Sequence, residues 1–190
     1  MKKLNKELIA DIVAQGASGV KKAFEIFVGQ GVEVIVPEAK QMDTTEVLKS
    51  IANGVKAENS LVAYSQGMES PEGIVMLVIE RETALRLVDL LSGEPVGTAG
   101  LLENYEVSAI LETLNVVSNA FLTAIADGIG EKMIFGVPKI VTAEKISQLD
   151  NFHCSDCDNL VFEMKFKIGD YELPAKFYTL FTEELSNFLD

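Results

Sequence analysis

Apolar positions between about Asn5 and Phe27 recur at helical spacing, with Leu8, Ile9, Ile12, Val13, Val20, Phe24 and Phe27 on one side. Gly16 and Gly19 weaken this segment as an isolated helix, so a closely packed neighbour is expected to support it. Val32–Val36 reads as a strand, and a short helix follows from Thr44 or Thr45 to about Asn53, where Gly54 stops it. Leu61–Ser65 and Gly73–Glu80 read as strands joined by a polar turn. Arg81–Leu91 is helical with Gly93 as its terminator, and the Pro- and Gly-containing stretch Glu94–Leu102 reads as a linker. A second long helix is expected from about Tyr105 to Asp127. Strands follow near Ile134–Val141, Asn159–Lys167 and Glu172–Phe181, with a short helix near Ala143–Leu149 and a last one from Glu183.

The two halves run in the same order, which suggests an internal duplication. Each has a long helix, a strand ending in Val-Pro (Val36-Pro37, Val137-Pro138), a short helix, two strands and a helix. Glu7, Asp11, Ala14 and Pro37 stand at the same relative spacings as Ser108, Glu112, Asn115 and Pro138, displaced by 101 residues. At that displacement Gly73–Ile79 is matched with Pro174–Leu180. The expectation is an α+β protein: one internally duplicated, pseudo-two-fold domain over 1–190, with half-repeats at about 1–93 and 101–190. An antiparallel sheet from both halves carries the long helices.

On a helical wheel Ile110, Leu111, Leu114, Val117, Phe121, Leu122 and Ile125 form one apolar face. Ser118 interrupts it, and its hydroxyl is expected to bond back to the carbonyl of Leu114. Ser108, Glu112, Asn115 and Asn119 fall in a strip about 60° wide outside that face. Polar residues on a helix are ordinarily its wet side. Yet two asparagines in a helix interior each cost about half a kcal/mol relative to alanine, which packing does not explain. Pro37 and Pro138 read as shape residues of a sheet edge or bulge, where a missing ladder donor is tolerated.

Composition narrows the classes. A chain of 190 residues, 48% apolar and 24% charged, is globular and can bury a real core. Its net charge of −13 offers no basic stripe for nucleic acid and opposes an anionic membrane surface. Lys6, Glu7 and Asp11 interrupt any signal-peptide core after Met1-Lys2-Lys3. No apolar run is expected to reach the roughly 18–20 residues of a spanning helix, so the expected location is cytoplasmic. Cys154 and Cys157 beside His153 lack a second ligand pair and read as reduced surface thiols. No GxGxxG, Walker loop, HExxH or nucleophile elbow appears.

The pattern Ser108-x3-Glu112-x2-Asn115-x22-Pro138 arises by chance well under about one time in a hundred at average composition. Together with its degenerate copy, and the segment Glu82-Thr83-Ala84-Leu85-Arg86-Leu87-Val88-Asp89-Leu90-Leu91, it resembles the CheC/CheX family of chemotaxis phosphatases. The likeness covers nearly the whole chain. Length brings it closer to CheC, although only one site is intact. The family's FliY branch carries a further switch domain, and none follows Asp190, so FliY is expected to be set apart.

The resemblance implies an enzyme that hydrolyses the aspartyl phosphate of a phosphorylated CheY-type response regulator. Glu112 corresponds to the residue that pairs with a regulator lysine, and Asn115 to the one that orients the attacking water. Ser108 and Pro138 complete the motif. The copy made of Glu7, Asp11, Ala14 and Pro37 is expected to be inactive, because Ala14 can hold no water. No cofactor of its own is expected; Mg²⁺ belongs to the regulator. The deamidase CheD and a homodimer are further partners the resemblance allows. Competing readings are a non-catalytic adaptor for the regulator or CheD, and a structural component of a chemotaxis array or flagellum.

Overall fold

The computed structural model describes residues 6–29, 31–54, 60–67, 73–101, 103–141 and 158–181. The expected helices near Ala143–Leu149 and from Glu183, together with His153, Cys154 and Cys157, lie outside them. The described elements are α1 (Lys6–Val28), β1 (Val32–Asp43), α2 (Thr44–Gly54), β2 (Ser60–Gln66), β3 (Gly73–Glu80), α3 (Arg81–Ser92), α4 (Asn104–Ile129), β4 (Lys139–Val141), β5 (Asp158–Ile168) and β6 (Tyr171–Phe181). The fold is α+β, as expected.

All six described strands join one antiparallel sheet in the order β1-β5-β6-β3-β2-β4. That order reads the same when β1 is exchanged with β4, β2 with β5 and β3 with β6. In the central ladder, however, residues 101 positions apart do not share a face. Leu77 lies opposite Phe177, 100 positions away, and both enter the core under the long helices. Met76 and Tyr178 face the other side of the sheet. A displacement of 101 would equate Leu77 with Tyr178, across the sheet. Side chains alternate with period two, so one residue of slip inverts every assignment.

One face of the sheet carries α1, α3 and α4, and α2 packs on the other through Val47 and Ile51. Buried on both faces, β3 reads as an unbroken apolar run, Ile74 to Ile79. The two long helices run antiparallel. Leu8 meets the Gly128 end of α4, the ring of Phe121 lies over Gly16, and Gly19 faces Ala120. A Cβ on Gly19 would stand 3.0 Å from that of Ala120. The glycines that weaken α1 in isolation are therefore the ones that let α4 approach. Beneath them Phe121, Phe162 and Phe177 form a ring cluster with centroids 4.6 to 5.9 Å apart, and Phe24 stacks on Phe166 at 4.9 Å. Such pairs contribute about 0.5–1.5 kcal/mol each beyond their buried area.

Three further expectations are corrected. Strand β1 continues past Pro37 to Asp43, with a register shift between Ile35 and Glu38 that absorbs the proline. The strand expected over Ile134–Val141 reduces to a bridge between Phe135 and Gly67 and the three residues of β4. By length and composition alone, α4 is apolar enough to cross a membrane, with a mean hydropathy of 1.5 over its most apolar stretch. Half of that stretch is buried against the protein's own sheet and helices.

Candidate functional site

The strip on α4 is presented by a helix whose other side is locked. Ile110, Leu114, Val117, Phe121 and Ile125 are fully buried, which fixes the helix's rotation about its axis. Ser108, Glu112 and Asn119 are consequently exposed and Asn115 is half-buried. The start of α4 is set by its N-terminal box, in which the backbone N–H of Glu103 donates to Glu106 Oε2 at 3.1 Å. A second anchor was not legible as one in the sequence. The buried carboxylate of Asp89 accepts hydrogen bonds from the N–H groups of Gly97 (2.7 Å), Thr98 (3.2 Å) and Ala99 (2.8 Å). It thereby ties the linker that feeds α4 to the end of α3. Asp89 lies three positions before the end of α3, and nothing in its local spacing marked this role.

Within the strip, Ser108 Oγ donates to the carbonyl of Asn104 at 2.7 Å. Ser118 Oγ donates to the carbonyl of Asn115 at 3.1 Å, one residue later than the expected Leu114. The Asn119 side-chain amide donates from Nδ2 to Oδ1 of Asn115 at 3.3 Å. Glu112 makes no hydrogen bond or ion pair among the described residues, so its carboxylate is free to meet a partner's cation. Two recesses flank the strip. One, of about 250 Å³, lies beside Ser108 and Glu112 and is walled by Phe24, Phe27, Leu91 and Tyr105. The other, of about 580 Å³, begins at Asn119 and runs along Thr123 and Asp127 to Lys132 and Phe135. Among the described residues no three His, Cys, Asp or Glu side chains gather as a metal-holding group.

Pro138 stands at the sheet edge along which α4 packs, one residue before β4. The segment reaching it is laced to β2: Gly136 N donates to Gln66 O at 2.9 Å, and Ser65 Oγ donates to Gly136 O at 2.6 Å. Pro37 lies in β1, the opposite edge strand, at the register shift. Both prolines thus occupy the edge positions expected of them. On α1, Glu7, Asp11 and Ala14 are exposed. Because the helices are antiparallel, this degenerate strip lies at the end of the helix pair where α4 finishes, away from Glu112. Ala14 presents a methyl group where Asn115 presents an amide.

Solved structures of FliY, FliM and the chemotaxis protein CheX share this architecture. No family model matches the chain. In sequence it is 21% identical over 179 residues, 91% of this chain and 88% of the relative, to CheC1 of Halobacterium salinarum, whose description gives CheY-P phosphatase as a provisional activity. The crystal structure of Thermotoga maritima FliY is similar over 99% of this chain and 96% of its own, with TM-score 0.71 and 18% identity. FliM, in a FliG–FliM complex from H. pylori, covers 97% of this chain and 100% of its own at TM-score 0.67 and 16% identity. CheX from Vibrio vulnificus covers 93% and 99% at TM-score 0.57 and 11% identity. The likeness to the CheC/CheX family therefore holds in sequence and in fold. The fold does not make the expected separation from FliY.

Proposed function

We propose that this chain is a phosphatase for the aspartyl phosphate of a CheY-type response regulator, acting in the cytoplasm. The observation that carries the reading is the pairing of Glu112 with Asn115, a turn apart on the outward face of a helix locked into the core. The CheC1 relative and the motif supply the substrate class. Glu112 anchors the regulator through an ammonium group in its active site. Asn115 enters that site and orients a water in line with the phosphorus. The water oxygen bonds to phosphorus as the bond to the aspartate oxygen breaks, releasing inorganic phosphate and the free carboxylate. Phosphoryl transfer has a loose transition state and gains chiefly from positioning and charge stabilisation. A neutral amide suits this task, because it both donates to and accepts from a water. Mg²⁺ arrives with the regulator. The α1 strip lacks the amide and contributes docking alone.

Phosphate release from a Mg²⁺-loaded, phosphorylated CheY-type regulator tests the proposal. The protein should accelerate release, Asn115→Ala should abolish the acceleration, and Glu112→Ala should act mainly on KM. Turnover surviving in Asn115→Ala would overturn the assignment. A second reading, a non-catalytic adaptor that binds the regulator or CheD, is favoured by the likeness to FliM in its complex with FliG. It predicts phosphorylation-dependent binding without acceleration, unaffected by Asn115→Ala.

A further inference from the structure

We infer that Asn119 is a positioning residue for the reaction: its side chain holds the Asn115 amide in one of its two orientations. The inference rests on the phosphatase reading and deepens it. Asn119 stands one turn beyond Asn115, where side chains four apart meet, and its Nδ2–H donates to Asn115 Oδ1 at 3.3 Å. An unrestrained amide rotates broadly about its last torsion and offers oxygen or nitrogen to an incoming group with little preference. The bond from Asn119 removes that ambiguity. It occupies one of the two lone pairs on Oδ1, leaving the second to accept a proton of the water. The two donors on Nδ2 are then directed away from Asn119. Ser118 adds a second hold from the buried side, donating to the Asn115 carbonyl. Asn115 is thus gripped at its main chain and at its amide. Helix propensity gives no reason for a second asparagine at position 119, and this bond does.

Two variants and one spectroscopic reading test it. Asn119→Leu keeps the size of the side chain and deletes the donor, while Asn119→Gln keeps a donor within reach of Oδ1. The expected result is a kcat for Asn119→Leu about two- to twelve-fold lower with KM unchanged, the range a single net hydrogen bond spans, and recovery in Asn119→Gln. In the resting protein, without regulator, the Asn115 Cγ resonance should move upfield in Asn119→Leu and return in Asn119→Gln. An unchanged kcat, or a rise in KM alone, would reduce Asn119 to a rim contact and overturn the inference. An unmoved Cγ resonance would overturn the orienting bond itself. Should the unaltered protein fail to accelerate phosphate release, the phosphatase reading fails and takes the catalytic role with it. The resonance then still reports, separately, whether Asn119 holds Asn115.

Discussion

The ring of Phe121 lies against Gly16, filling the space where a side chain on α1 would stand. Phe121 is itself buried between two further phenylalanines of the sheet, Phe162 and Phe177, so it cannot retreat without disturbing the cluster. Gly16→Ala would gain about 1 kcal/mol in helix propensity. Overpacking a filled core costs about 1–3 kcal/mol, and here the displaced group is the centre of the core. At the upper half of that range, the net expectation is a destabilisation of about 1–2 kcal/mol, read as a lower urea midpoint with an unchanged slope. A midpoint equal to or above that of the unaltered protein would show that α4 does not depend on this approach.

Asp89 gives the second prediction. Asp89→Ala leaves the N–H groups of Gly97, Thr98 and Ala99 without their acceptor. Losing a buried, charge-assisted acceptor costs about 2–4 kcal/mol. Asp89→Asn, which retains one acceptor oxygen, should fall between. Amide exchange at Gly97 and Ala99 should quicken in Asp89→Ala before exchange in β3 does. Unaltered protection there would mean that the linker is held by other groups.

A pH dependence follows from β5. Glu163 accepts a hydrogen bond from Lys40 Nζ at 2.9 Å, and this holds its carboxyl below the ordinary value of 4.5. Lys176 adds a weaker attraction at 3.9 Å. A carboxyl depressed by folding contributes stability that is present above its unfolded value and is lost as pH falls through the folded one. The pair is close to half exposed, so its contribution is under about 1 kcal/mol. Unfolding midpoints measured from pH 7 down to 3 should fall less steeply in Glu163→Gln than in the unaltered protein. Parallel curves would remove the pair from the stability of the β1–β5 edge.

The degenerate strip supplies a gain-of-function test of the proposed mechanism. In an Asn115→Ala background, Asp11→Glu with Ala14→Asn rebuilds the carboxylate–amide spacing on α1. Both positions are exposed, so the substitutions are expected to fold. Part of the lost phosphate release should return. A folded variant with no recovery, against a regulator that the unaltered protein does dephosphorylate, would show that the spacing alone does not make a site.

Several features were legible in the sequence because they are set locally. Helical periodicity placed α1 and α4 to within about two residues of their ends. Gly93 marked a helix stop, and it adopts the left-handed conformation such a stop uses. Pro37 and Pro138 pointed to sheet edges because a missing N–H is harmful anywhere else in a ladder. The polar strip of Ser108, Glu112, Asn115 and Asn119 followed from angular spacing alone.

Other features were decided only when distant segments met. Spacing along the chain could not reveal that Leu77, not Met76, shares a face with Phe177, since that is a property of the ladder between two strands. The passage of β1 through Pro37 depends on the pairing of Glu38–Asp43 with β5, which overrides the local break. Phe121 over Gly16 and Asp89 under the linker join residues whose neighbours in sequence say nothing of each other. The hydrogen bond from Asn119 to Asn115 is the intermediate case. A helix brings the two within reach, but the burial of α4's opposite face is what turns them together toward solvent, where the proposed chemistry is done. Local pattern determines which elements form and which face is apolar; non-local packing determines register, close approach and the direction in which a polar side chain points.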